Sequence, residues 1–520
     1  MLALSAVARR AAQINPNAVA LDHEGRSRTW GEFPDRIARL AGGLREIGIA
    51  DGERAAILSL NSDRYFEFYF ATAWAGGVFV PVNTRLAGPE VVHWLTDSAS
   101  KVLCVDATFL PLVQSVRDEL PDLETIVFLG DDAPEGTLAW DALAEHDPVA
   151  DAGRGGDDLA GLFYTGGTTG RSKGVMLSHQ NLVVNALQIA PILGIAANDR
   201  ILHTAPMFHI ADWVVCMGST MAGSCNWFLP AFEPVQVMQT LAAERIQKLL
   251  MVPTMINMVV NHPALAEHDL SALERILYGA SPMPEAVIAK SLELLPHVEL
   301  VQAYGQTEAA PCVTLLRPEY HTVDPDSPFA GKLKSAGQAV PGVEVAVLDE
   351  NDEPVAVGEV GEVCCRGPNV MLGYRNLPEQ TAATLKNGWL HTGDGGRFDE
   401  DGFLFIVDRV KDMIVSGGEN VYSAEVENAL SSHPDVAQCA VIGVPDEKWG
   451  ERVHAIIVPK PDAAPTEAAI IEHCRSLIAG FKCPRSVTLR DEPLPLSGAG
   501  KILKTELRKP FWEGQTRSVN

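Results

Sequence analysis

Tyr164-Thr165-Gly166-Gly167-Thr168-Thr169-Gly170-Arg171-Ser172-Lys173-Gly174 is the stretch on which the reading of this 520-residue chain turns. From Gly166 to Gly170 no bulky side chain interrupts the backbone, so successive N–H groups and threonine hydroxyls can close around phosphate oxygens. An ordinary flexible turn is the plain alternative. The spacing does not follow the P-loop pattern, because Gly170 is followed by Arg171 and Ser172. A P-loop ATPase is therefore disfavoured.

Outward from this loop, helical periodicity at residues 33–47 alternates with short β-branched runs at 54–58 and 78–82, an α/β layer pattern that continues to about residue 310. Residues 300–306 read as a strand entering a turn, and 343–348 with 361–366 as an antiparallel, strand-rich part. After the turn dipeptide Asp401-Gly402 and a strand at 403–407 comes the charged stretch Asp408-Arg409-Val410-Lys411-Asp412, the candidate domain boundary. Beyond it a helix at 423–432, strands at 437–444 and 453–459, and a helix at 467–479 imply a small α+β domain. There is no internal repeat and no low-complexity tract.

Apolar residues make up 47% of the chain and charged residues 21%, the balance of a globular protein with large cores. A formal charge of −26 argues against nucleic acid or acidic membrane as main partners, since such binding draws on clustered Lys and Arg. A phosphate ligand must then be held by a local site. The nine cysteines show no C-x-x-C spacing and read as reduced thiols, which points to a cytoplasmic location. The apolar runs 71–82 and 249–260 contain Gly or Pro and fall short of the roughly 20 residues a spanning helix needs. Residues 1–13 fit an amphipathic first helix rather than a signal peptide, because Arg9 and Arg10 follow the apolar stretch.

Further motifs follow the loop in order: Pro206-Met207-Phe208-His209, Gly279-Ala280-Ser281-Pro282, Tyr304-Gly305-Gln306-Thr307-Glu308, Gly361-Glu362, Arg366-Gly367-Pro368, Gly373-Tyr374, Thr392-Gly393-Asp394, Asp408 to Asp412 and Gly500-Lys501. Together they resemble the adenylate-forming superfamily over essentially the whole chain, and within it the AMP-forming acyl-CoA synthetases of fatty-acyl or aryl type. The resemblance implies an α/β fold: a large N-terminal domain of several subdomains, with layered α/β and β-barrel-like parts, and a small mobile α+β C-terminal domain. It places an AMP-binding domain at 1–408, a hinge at 409–412 centred on Lys411, and the mobile domain at 413–520. It implies ATP, Mg²⁺ and coenzyme A, and an acid converted first to an acyl-adenylate and then to a thioester. A homodimer is the candidate assembly.

By the same resemblance, Thr165, Gly166, Gly167, Thr168, Thr169, Gly170 and Lys173 cradle phosphate, Glu308 ligates Mg²⁺, and Thr307 donates to the α-phosphate. Gly279, Ala280 and Ser281 bind the cofactor, Tyr304 stacks on adenine, Asp394 accepts the ribose hydroxyls, and Arg409 stands beside the nucleotide. Lys501 is the principal catalytic group: two anions must meet, and a positioned ammonium neutralises the charge that builds up. His209 is counted both with the catalytic residues and, with Ile210, Trp213, Ala280, Gly305 and Ala309, in an apolar acyl pocket suited to fatty or aryl acids. Ser416, Gly417 and Gly418 line the pantetheine path, while Trp449, Phe481 and Arg85 lie toward the coenzyme's nucleotide. Gly166 and Ser172 depart from the commonest family residues with no expected loss of activity, whereas the departures at Leu496, Ala499 and Cys483 bear on coenzyme affinity. A stand-alone ligase loading a carrier protein and a non-catalytic acyl or nucleotide carrier are the competing readings.

Overall fold

The computed structural model describes residues 2–165, 172–409, 413–416, 419–446, 448–497 and 500–513, the side chains of 408, 409, 419 and 420 apart. The helix Asp63–Ala75 shows how the long apolar stretches are used. Ser62 caps its start by accepting the Tyr65 N–H, and Gly76, at φ 95°, ends it. Every residue of this helix is buried. It lies between two sheets, touching Val19–His23 of one and Arg54–Leu58 and Val78–Pro81 of the other. A carboxylate so deep needs partners, and Glu67 has Arg28 at 2.7 Å, Arg36 at 3.2 Å and the Trp140 indole N–H at 2.9 Å.

The first sheet has nine strands, in the order Gln338–Ala339, Cys312–Leu316, Glu299–Gly305, Arg275–Gly279, Lys248–Leu250, Arg200–His203, Cys225–Phe228, Val19–His23, Arg26–Thr29. From Glu299–Gly305 to Val19–His23 the pairing is parallel, so both faces need covering by helices. The second sheet has eight strands, with Lys173–Ser178 and Gly373–Tyr374 added antiparallel at one edge. A third, antiparallel sheet joins Glu344–Leu348, Gly361–Arg366, Trp389–Phe398 and Leu404–Arg409. It is the strand-rich part expected from 343–366.

Ile414–Ser416, Glu419–Val421, Gly450–Pro459, Val436–Asp446 and Ser486–Leu489 form a fourth sheet. It carries its own small core of Ile414, Val426, Leu430, Val441, Val453 and Ile470. Among the described residues its strands pair with none of the other sheets. The mixed α/β body with a separate C-terminal unit is the fold expected.

Several parallel strands of the first sheet end on one side, at Leu250, Gly279 and Gly305, and such carboxyl ends are where ligands sit in open α/β sheets. All nine cysteines are unpaired. Among the described residues, no helix is long and apolar enough to cross a membrane.

Candidate nucleotide and acid site

The strand Glu299–Gly305 stops because the chain must fold back on itself: a Cβ at Gly305 would lie 2.0 Å from the Pro311 carbonyl oxygen. A single 3₁₀ turn, Thr307–Ala309, follows and turns Thr307 and Glu308 inward, each only 9% exposed. The Tyr374 hydroxyl donates to Glu308 Oε1 at 2.8 Å, and the Met371 N–H holds the Glu308 carbonyl at 2.8 Å. Lys173 Nζ sits 4.7 Å from the centre of the same tyrosine ring. Lys173 pairs with Thr165 across the base of the hairpin that carries the Gly/Thr loop. Gly166, Gly167, Thr168, Thr169 and Gly170 lie outside the described residues. The geometry thus gathers Thr165, Lys173, Tyr374 and Glu308 at the root of that loop.

One carboxylate with oxygen neighbours is the donor set that a hard cation needs when it keeps most of its waters and is carried on phosphate oxygens. Glu308 therefore fits magnesium arriving with ATP. The cation would supply charge neutralisation at the phosphates.

Ribose and adenine are expected one strand away. Gly279 pairs with Ala303, and a Cβ at 279 would fall 2.3 Å from the Ala303 carbonyl oxygen, so only glycine permits this approach. Ala280 then takes φ 67°, turning the chain out of the sheet toward Ser281. The Tyr304 hydroxyl donates to Asp394 Oδ2 at 2.8 Å. Burial, with the Asp394 charge beside it, holds the phenol well above its usual range, so it stays a donor. Asp394 sits at the end of a turn hung from the neighbouring strand: Gly393 N–H donates to Glu362 at 2.9 Å and Thr392 Oγ1 to the Val363 carbonyl at 2.6 Å. The backbone of Asp394 pairs with that of Arg409, whose side chain is not described.

Lys501 comes from the C-terminal unit. Its loop is tied internally, Ser497 N–H donating to the Lys501 carbonyl at 2.6 Å and Lys501 N–H to Ser497 Oγ at 3.1 Å. It is tied to the N-terminal body by Arg85 Nη1, which donates to the Ser497 carbonyl at 2.6 Å. Gly500, at φ 78°, packs so closely that a Cβ there would meet Val252 Cγ2 at 3.1 Å and Thr254 Oγ1 at 3.5 Å.

Burial, with the charge of Lys501 nearby, pushes the His209 imidazole down to about 3. The ring is neutral at physiological pH. Its Nδ1 accepts from the Ala211 N–H at 3.2 Å, which leaves Nε2 as the protonated nitrogen and a donor. His209 caps the helix Ile210–Ala222, so the acyl-pocket candidates Ile210 and Trp213 occupy its first turn. Trp213 is 1% exposed, stacked on Phe79 at 5.2 Å and edge-on to Tyr69 at 4.9 Å. The Tyr69 hydroxyl in turn donates to the Met207 carbonyl at 2.6 Å. Ala309 is fully buried, with Asn369 Nδ2 donating to its carbonyl at 2.8 Å.

The coenzyme-side candidates other than Arg85 belong to the C-terminal unit. Ser416 pairs with Glu419 and with Gly450. Gly417, Gly418 and the hinge candidate Lys411 lie outside the described residues. Trp449 is flanked by Lys448 and Arg485, each 4.7 Å from its ring, and the exposed Phe481 carries Lys482 at 5.7 Å. Arg85 is instead occupied with the lysine loop. Sequence reasoning quoted Glu362 and Tyr374 within motifs without giving either a role, and it missed Arg485 and the Val252–Thr254 platform. For Arg485 the local signal was the basic pair Lys482 and Arg485 around Cys483-Pro484.

A buried carboxylate held by Tyr374, an aspartate held by Tyr304 and a lysine loop carried by a separate unit form the arrangement expected of a protein that activates acids with a nucleotide. The chain belongs to the AMP-binding enzyme family, whose pattern matches residues 8–375, with the pattern of the AMP-binding enzyme C-terminal domain matching 425–501. It is 40% identical to the feruloyl-CoA synthase of an Amycolatopsis species over 504 residues, covering 96% of this chain and 98% of that one. It is 38% identical to the fatty acid–[acyl-carrier-protein] ligase ScoC of Streptomyces coeruleorubidus over 514 residues, covering 98% and 96%. The crystal structure of the anthranilate CoA ligase AuaEII with anthranoyl-AMP superposes with a TM-score of 0.90 at 28% identity, over 98% of this chain and 97% of that one. The protein is an AMP-forming acyl-CoA synthetase that uses ATP, Mg²⁺ and coenzyme A.

Proposed function

We propose that the chain activates a medium-sized apolar acid, aryl acids foremost, and that its reaction is divided between two placements of the C-terminal unit. The docking of the Lys501 loop on Arg85, Val252 and Thr254 carries the first half of this reading. The acid's carboxylate oxygen attacks the α-phosphorus, the bond to pyrophosphate breaks, and the Lys501 ammonium offsets the negative charge gathering there. Thr307 and neutral His209 supply uncharged donors, while Asp394 and Tyr304 fix the nucleoside. Lys173 and the Gly/Thr loop hold the departing pyrophosphate.

For the second half, the unit 413–520 turns on the hinge 409–412, with Lys411 as pivot and 1–408 as the fixed body. Separate sheets and separate family patterns for the two units support this division. The coenzyme thiolate then attacks the acyl carbon along Ser416, Gly417 and Gly418, and AMP leaves. Arg485 and Lys448 on Trp449, with Phe481, make a cationic aromatic surface suited to the coenzyme's phosphates and adenine. Arg85, released from Ser497 by the turn, joins them.

The aryl preference rests on the buried aromatic group Phe79, Trp213 and Tyr69 behind the acyl-pocket helix and on the resemblance to a feruloyl-CoA synthase. The test is AMP release with coenzyme A across benzoic, phenylpropenoic and straight-chain acids. Highest kcat/KM on a ring-bearing acid supports the proposal, and highest kcat/KM on a long straight chain contradicts it. The resemblance to a carrier-protein ligase favours a second reading, transfer to a carrier. It is distinguished by AMP release that needs holo-carrier rather than coenzyme A. A cytoplasmic location is consistent with the unpaired cysteines. A homodimer is checked by sedimentation, with two chain masses expected.

A further inference from the structure

Beneath the turn that presents Asp394, three different metal-binding side chains converge. His391 Nδ1 is 2.9 Å from Glu362 Oε2 and 3.4 Å from Cys364 Sγ, and the three donor atoms all lie within 4.8 Å of one another. Cys364 is fully buried, His391 12% exposed at its side chain and Glu362 31%, so the cluster is deep but open on the carboxylate side. The strands explain the meeting. Cys364 pairs directly with His391 across Gly361–Arg366 and Trp389–Phe398, and a register shift between Glu362 and Cys364 brings the Glu362 carboxylate round to the same imidazole.

The far side of the ring supplies an independent observation. His391 Nε2 is buried with no hydrogen-bond partner, and it faces Asp352 Oδ1 at 3.8 Å. Asp352 is itself held by Lys386 at 2.8 Å and Asn387 at 2.6 Å. A metal-bound histidine characteristically directs its second N–H to a carboxylate that fixes the ring, and Asp352 stands where that carboxylate belongs.

We propose that Glu362, Cys364 and His391 bind a zinc-class divalent cation, with Asp352 orienting the histidine, and that occupancy weakens nucleotide binding through the Asp394 turn. Thiolate, imidazole and carboxylate together select a borderline-soft cation over Mg²⁺, and three protein donors leave a fourth position for water. The cation binds the thiolate, so its entry releases the thiol proton. Glu362 links the cluster to the nucleotide: its Oε1 holds the Gly393 N–H while its Oε2 faces the metal position. Drawing Oε2 toward a cation rotates the carboxylate and loosens the support of Asp394. This coupling rests on the ribose-facing role proposed for Asp394, whereas the binding site does not.

Cobalt(II) added to chelator-treated full-length enzyme with saturating Mg²⁺ is the probe. One equivalent should bind and give a thiolate-to-cobalt charge-transfer band. Cys364→Ser should abolish the band, and Asp352→Asn, which leaves all three donors in place, should weaken binding by roughly 10- to 100-fold. No band, or a band unchanged in Cys364→Ser, overturns the site. With AMP as nucleotide, because it chelates zinc far less than ATP, zinc should raise the AMP dissociation constant at least ~5-fold, and AMP should weaken zinc by the same factor. A cobalt band with no mutual weakening overturns the coupling alone.

Discussion

Glu308 and Lys501, which the proposed mechanism brings to the same few ångströms of chemistry, are held in opposite ways. Glu308 is fixed within the N-terminal body by a 3₁₀ turn, a Tyr374 hydrogen bond and the Met371 N–H. Lys501 arrives on a loop from another unit, whose described ties across the interface include the Arg85 bond and the packing of Gly500 on Val252 and Thr254. The contrast separates two needs. If Glu308 serves the phosphates as proposed, it is needed throughout, which accounts for a carboxylate built into the sheet edge. In the proposed mechanism the Lys501 charge is needed for one half-reaction only, which accounts for its place on a loop that can leave.

This contrast can be sharpened by substitution. Glu308→Gln should slow single-turnover pyrophosphate release by roughly 10²- to 10³-fold, while Tyr374→Phe, which keeps the carboxylate, should cost far less. Equal losses would mean that the tyrosine, not the charge, carries the site. Asp394→Asn should raise KM for ATP by about 10-fold or more, the scale of one hydrogen bond to a charged group. Arg85→Ala should slow adenylation only about 5-fold, because a single hydrogen bond to Ser497 is lost, and should raise KM for coenzyme A. No change in either would release Arg85 from both roles.

The smallest effect concerns pH. Burial lowers His209 to about 3 and His179, His321 and His454 to about 4, all from 6.5. Between pH 6.5 and about 4 the unfolded chain therefore binds protons that the native chain does not, so stability falls as pH falls through that window. Thermal melts at pH 7.5 and 5.0 should show the lower Tm at pH 5.0. In Lys501→Ala the His209 imidazole should titrate at higher pH by NMR.

Local pattern was enough for much of the frame. The strand Arg54–Leu58 falls on an expected β-branched run, Gly361–Arg366 on the expected strand-rich part, and the helix expected at 423–432 is Ser423–Ser431. Motif residues whose partners lie nearby in sequence were equally readable, as with Thr165 and Lys173 on one hairpin. What escaped depends on contacts between distant segments. Tyr374 meets Glu308 66 residues away and Arg85 meets Ser497 412 residues away, and no periodicity encodes either. Trp213 read as a pocket residue from its place after His209. Its stacking on Phe79 arises from a strand more than a hundred residues upstream, which is why composition could not separate a wall of the pocket from the core behind it.

The delivery of Lys501 is best tested by measuring the two half-reactions of Lys501→Ala separately: pyrophosphate release from ATP and acid, and thioester formation from supplied acyl-AMP and coenzyme A. The first should fall by at least ~10²-fold and the second should stay close to wild type. Equal loss of both would contradict the account, because a charge needed in both steps has no reason to ride on a unit that turns away.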